Sequence, residues 1–232
     1  MSVVLIFMAA IAAVIVWWLA QQRLASKPWL EVGHAHDHRR AAPLPAAKVG
    51  LGVFLAVVGS LFALSFSAYF MRMASSDWGA LPLPGFLWVN TAILALASAA
   101  LHWTKLEAEW QHREAARTGL LAALAAGLAF LVGQLFAWRA LIDAGYLLAS
   151  NPANSFFYML TGLHGLHILG GLAALGRVTM RAWDTGFDRR TRLSIELCAI
   201  YWHFMLAVWL VLFALLSGWA NEVVAFCRQL LT

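Results

Sequence analysis

The sequence predicts an all-α fold: a polytopic membrane helical bundle with six transmembrane helices. Composition is the first reason. The chain is 62% hydrophobic and 12% charged over 232 residues, far from a soluble domain. The second is the grouping of apolar residues into six charge-free runs. Each has the roughly 20 residues needed to cross about 30 Å of hydrocarbon. A closed barrel is the other spanning solution, but these runs are too long and lack its alternating pattern.

The first run is Met1 to Gln22. It has no basic segment before it and no small-residue cleavage site leading into a soluble domain, so it reads as a helix and not a signal peptide. The second is Val49 to Met71, between Lys48 and Arg72. The third lies within Trp78 to Thr104, with Pro82 and Pro84 before its helical part, since proline suits a helix entry. The fourth is Thr118 to Trp138. The fifth lies within Ala144 to Gly176, after an Asn151-Pro152 turn, and the sixth is Leu197 to Asn221. The stretch Lys105 to Arg117 mixes Glu107, Glu109 and Glu114 with basic residues. It reads as a helix continuing past the membrane with a solvated or subunit-contacting face.

Loop charge fixes the expected orientation. One side receives Arg23, Lys27, Arg39, Arg40 and Lys48, then Lys105, Arg113 and Arg117, then Arg177, Arg181, Arg189, Arg190 and Arg192. The other receives Arg72, Arg139 and Arg228. Basic loops stay cytoplasmic, so both termini are expected outside. The same bias accounts for the net charge of +5 without a nucleic-acid partner. Cys198 and Cys227 are 29 positions apart, which suits neither a metal site nor a redox motif. No internal repeat suggests the two halves of a transporter.

Ionisable groups inside spans mark function or a specific partner. Four stand out: His164 and His167 in the fifth span, and Glu196 and His203 in the sixth. The first two are three apart and the second two seven apart, so each pair shares a helix face. Gly162, Gly165, Gly170 and Gly171 surround the histidines, and small residues admit close approach by a helix or a lipid chain. Trp202 lies beside His203. Three chemistries compete: haem or metal ligation, a proton relay, and hydrogen bonding between helices or to a lipid headgroup. Spacing leaves all three open. His34, His36 and His38 have metal-tract spacing, but Pro43 and Pro45 place them in a solvated linker.

The run F-F-Y-M-L-T-G-L-H-G-L-H at Phe156–His167 and E-L-C-A-I-Y-W-H-F-M-L-A-V-W-L at Glu196–Leu210 resemble cytochrome c oxidase subunit III. Leu51–Phe70, Pro82–Ser98 and Gly133-Gln134 resemble further segments of that family. The likeness covers about residues 49–221. Trp17-Trp18 and Gly33-His34 are similar to the second helix and loop of seven-helix members, so this chain would lack only their first helix.

The resemblance implies a subunit with no active site and no cofactor of its own. It packs beside oxidase subunit I, accompanies subunit II, holds phospholipid between its helices and supports proton uptake. Haem and copper belong to the partner subunits. On this basis His164, His167, Glu196, Trp202 and His203 are structural or lipid-contacting. Residues 1–48 form an N-terminal helix and loop, 49–221 a five-helix core and 222–232 a short periplasmic tail. The membrane is a bacterial inner membrane. Three positions where members often carry a carboxylate are Val58, Ala137 and Leu206 here, which weakens a proton-antenna role and points to a divergent branch. Related branches are a quinol oxidase subunit and the accessory subunit of nitric oxide reductase. An independent transporter or channel, or a cytochrome b-like electron carrier, are the rivals of other classes.

Overall fold

The computed structural model describes residues 46–218 except 74, 80, 83 and 185. The described residues form five α-helices: α1 Ala46–Met73, α2 Phe86–Glu109, α3 Arg113–Asp143, α4 Pro152–Asp184 and α5 Arg189–Leu216. All five are long and apolar enough to cross a membrane. They match the second to sixth expected spans. The first span, the loop with His34, His36 and His38, and the tail with Cys227 lie outside the described residues.

The chain divides into two compact units. One is residues 1–58 with 224–232, whose described part is the first half of α1. The other is residues 59–223. Within this second unit α2 packs against α3 and α5, and α4 packs against α3 and α5. Large side chains such as Leu96, Val132, Leu166 and Leu210 remain exposed. For a helix surrounded by acyl chains that exposure has no cost, because lipid is as apolar as leucine.

The connections explain where the helices stop. Leu87 N–H donates to Pro84 O, so Pro84 stands at the entry to α2 as expected. Lys105–Arg117 departs from the continuous helix read in its charges. α2 ends at Glu109, and α3 restarts at Arg113. Gln111 sits between them at φ 63°, in the left-handed region usually given to glycine or asparagine. The sequence carries no glycine there, so the reversal left no mark on the pattern. Gly145 occupies the same kind of position after α3, at φ 87°, where a glycine is the ordinary choice.

Asn151 closes the turn before α4. Its side chain accepts from the Ala153 N–H at 3.0 Å and donates to Gly79 O at 2.9 Å. This ties the α1–α2 connection to the start of α4.

Asp188 caps α5, its Oδ1 accepting from the Thr191 N–H at 2.6 Å. Hydrogen bonding from Thr191, through its side chain first and its backbone N–H second, holds this carboxyl below the ordinary value, and the nearby Arg181 and Arg190 add less. A carboxyl depressed in the fold contributes above its unfolded value and loses the contribution as pH falls through the folded one. Amide exchange at Thr191 should therefore be slow near neutrality and accelerate as pH drops below about 4. After the exchange chemistry's own pH dependence is removed, Asp188→Asn should flatten that profile; an unchanged profile would contradict it.

Candidate functional site

The H-G-L-H and Y-W-H-F segments meet in the structure, on α4 and α5. His164 is fully buried. Its Nε2–H donates to the backbone carbonyl of Met205 at 3.1 Å. Aromatic rings of Trp209, Phe130 and Phe62 surround it, with centroids at 5.0, 5.6 and 6.3 Å. Nδ1 has no hydrogen-bond partner among the described residues. His167 is half-buried and donates from Nδ1 to Leu163 O at 2.8 Å, one turn back along its own helix. Its backbone carbonyl accepts from the Tyr201 hydroxyl at 2.7 Å. The motif thus stitches α4 to α5 twice, once through a side chain of each helix.

Trp202 is fully buried, and the glycines decide why it fits. A Cβ on Gly127 would come within 3.0 Å of the Trp202 ring and 2.9 Å of Leu172. A Cβ on Gly171 would collide with the rings of both Trp202 and Tyr201. Only the missing side chains let α3 and α4 close on this indole. Gly162 meets the Trp138 ring at ordinary contact distance, and Gly170 has nothing within 4 Å. So the four glycines of the motif divide, with Gly171 the one that the packing requires.

His203 and Glu196 both face α2, as their spacing of two turns predicts. Glu196 Oε1 lies 3.8 Å from Lys105 Nζ. His203 Nδ1 lies 2.5 Å from Ser98 Oγ, and its Nε2 lies 3.4 Å from His102 Nδ1. His102 and Ser98 complete this contact but do not stand out in the sequence beside Glu196 and the three histidines. His102 falls inside the third span as drawn, one turn from Ser98 and just under one from Lys105. That spacing was the available signal, but the facing helix was needed to give it a partner.

Other polar contacts are structural. Asn90 donates to Gln134 Oε1 at 3.3 Å between α2 and α3, with Gly133 set against Asn90. This accounts for the Gly133-Gln134 pair. Trp209 donates to Thr91 at 2.9 Å, and Trp138 donates to Thr161 at 3.0 Å. At the three positions where the family often carries a carboxylate, Val58 and Ala137 are buried and Leu206 is half-buried. No three His, Cys, Asp or Glu side chains gather to hold a metal among the described residues.

The two histidine segments and their packing agree with a broader likeness. The family model for cytochrome c oxidase subunit III matches residues 2–221. The chain belongs to the cytochrome c oxidase subunit III family. A subunit 3 of cytochrome c oxidase from Thermostichus vulcanus is 31% identical over 193 residues, covering 81% of this chain and 92% of that one. One from Synechocystis is 34% identical over 196 residues, covering 79% of each. A probable subunit 3 from Nocardia farcinica is 30% identical over 171 residues, covering 72% and 84%. Subunit III membership makes this the non-catalytic third subunit of a haem-copper oxidase and a multi-pass membrane protein.

Proposed function

We propose that this chain packs directly against subunit I of a haem-copper terminal oxidase, alongside subunit II, and holds phospholipid between its helices. The carrying observation is the union of a match across residues 2–221 with the interlocked α4–α5 motif. The α4–α5 stitch supports a packing role: His164, Tyr201 and Trp202 fasten two helices to each other. The names of the relatives favour a cytochrome c oxidase over a quinol oxidase, a nitric oxide reductase or a free-standing transporter. In this reading His164, His167, Trp202, His203 and Glu196 maintain helix contacts, and His203 and Glu196 lie where a lipid headgroup can meet them. Haem and copper are held by the partners.

The loop charges support an orientation with Lys105, Arg113 and Arg189 on the cytoplasmic side of a bacterial inner membrane and both termini periplasmic. The organisation is an N-terminal helix and loop over 1–48, a core over 49–221 and a tail over 222–232. Apolar Val58, Ala137 and Leu206 leave the packing role intact and remove carboxylates from proton handling at those points.

Purification of the tagged chain from native membranes in mild detergent tests the reading. A haem-bearing subunit I should be recovered with it in equal amount, with its absorbance spectrum. Recovery of the chain alone, or with an unrelated transporter, would overturn the assignment.

A further inference from the structure

The α2–α5 seam carries a ladder of polar side chains. Its outer rung is Lys105, with Nζ 3.8 Å from Glu196 Oε1 and 3.9 Å from Glu109 Oε1. Further in, His203 Nε2 and His102 Nδ1 lie 3.4 Å apart, with ring centroids separated by 5.5 Å. The inner rung is Ser98, buried, with Oγ 2.5 Å from His203 Nδ1. Ser98, His102 and Lys105 follow one another at helical spacing on α2, while Glu196 and His203 are two turns apart on α5. By helical rise, His102 is about 4.5 Å and His203 about 10 Å further along its helix than its charged rung.

These histidines differ from those of α4. His164 is enclosed in rings, and the Nδ1–H of His167 is committed to its own helix. His102 and His203 are exposed on the flank of the unit and are bonded to each other. Packing alone does not explain two imidazoles meeting at the edge of a hydrocarbon-facing seam, where a leucine pair would serve.

We propose that His102 and His203 are a proton-binding pair that holds one proton between two imidazoles. In the neutral pair one ring donates N–H to the other's lone pair. Adding one proton makes an imidazolium–imidazole pair, whose shared bond is charge-assisted and stronger. A second proton would put like charges on touching rings, with the Lys105 ammonium nearby, and is disfavoured. The two rings therefore titrate as a unit in two separated steps. Ser98 fixes the orientation of His203, accepting from Nδ1–H or donating to it as the proton moves. The charged groups on the two helices that form the pair are Lys105, Glu107 and Glu109 on α2 and Arg189, Arg190, Arg192 and Glu196 on α5. Glu107 is bonded to Trp103 and His112, the three arginines lie in the first turn of α5, and Lys105, Glu109 and Glu196 form the rung beside the pair. α1 approaches α5 where Gly59 meets Phe204; in residues 59–73 its ionisable side chains are Tyr69 and Arg72, ten and thirteen residues further along the helix. α3 meets α2 at Gly119 against Thr104 and Trp103, and its Arg117 is turned to Glu114 and the Trp183 ring.

The proton site is a property of this chain's helices and stands whether or not the complex is an oxidase. Infrared difference spectra of the purified native complex, titrated between about pH 4 and 8 around the ordinary imidazole value, test it. Subtracting spectra of His102→Gln and His203→Gln from wild type isolates the pair. Wild type should show two imidazole–imidazolium steps separated by about one pH unit or more. Each variant should leave a single step between them, and Ser98→Ala should change the separation while keeping both. Unchanged subunit content and haem spectrum certify assembly; if His203→Gln fails to assemble, His102→Gln read at His203 decides alone. A remaining histidine that titrates at a wild-type midpoint, or a pair that takes up no proton over this range, overturns the proposal.

Discussion

Replacing Trp202 by alanine should cost about 3–5 kcal/mol, the range for deleting a buried indole, and should release the chain from its complex in mild detergent. Trp202 is fully buried and fills the space left by Gly127 on α3 and Gly171 on α4. In a membrane the loss is chiefly one of dispersion contacts, because lipid offers no hydrophobic drive to close the gap. Leu172 and the Tyr201 ring stand at the edges of the space the indole would vacate. The check is a thermal melt of the purified complex, followed through retention of this subunit. A variant that stays bound at wild-type temperature would show that the indole is not what joins α5 to α3 and α4.

Gly171→Leu is the reciprocal change and should be comparably severe. Any Cβ at position 171 runs into the rings of Trp202 and Tyr201. Neither ring is free to move: Trp202 is enclosed, and the Tyr201 hydroxyl is tied to His167 O at 2.7 Å. Overpacking of a fixed core costs about 1–3 kcal/mol and occasionally more, and here it also strains the hydrogen bond that joins α4 to α5. Gly170→Leu is the control. One position away, a Cβ has nothing within 4 Å, so its effect should stay within about 0.5 kcal/mol. The two large changes share one volume, so they should not add. Trp202→Ala combined with Gly171→Leu should recover part of the loss, since the new side chain enters the vacated space. Full additivity in the melt would show that the two sites do not touch.

These expectations rest on contacts that were only partly visible in the sequence. The spans were legible because hydrophobic runs between charged loops obey the bilayer's thickness. The helices fall where the runs place them and extend past the charge-free stretches into charged segments. A helix has no reason to end where hydrocarbon does, since its backbone bonds continue in water. The α2–α3 reversal was not legible, because Gln111 takes a left-handed conformation that its residue type does not announce. Among the glycines of the H-G-L-H region, the sequence showed only that small residues cluster. The indole of Trp202 singles out Gly171.

The candidate site divides in the same way. His164 and His167 stood out because imidazoles are costly inside an apolar run. Their roles came from neighbours: Met205 O for His164, the Leu163 carbonyl and Tyr201 hydroxyl for His167. His102 does not stand out in the sequence because a single histidine beside Trp103 and Lys105 resembles a helix end approaching water. It became part of a pair once α5 placed His203 against it.

By itself the sequence determined that this is a multi-pass helical membrane protein, and its two histidine segments identified the subunit III family. Those properties follow from composition, run length and local motif, all written along one chain. Only the tertiary structure decided which polar groups meet, because a helix sets the direction of a side chain but not what stands opposite. It therefore separated a buried histidine that fastens two helices from an exposed pair at the α2–α5 seam that is placed to share a proton.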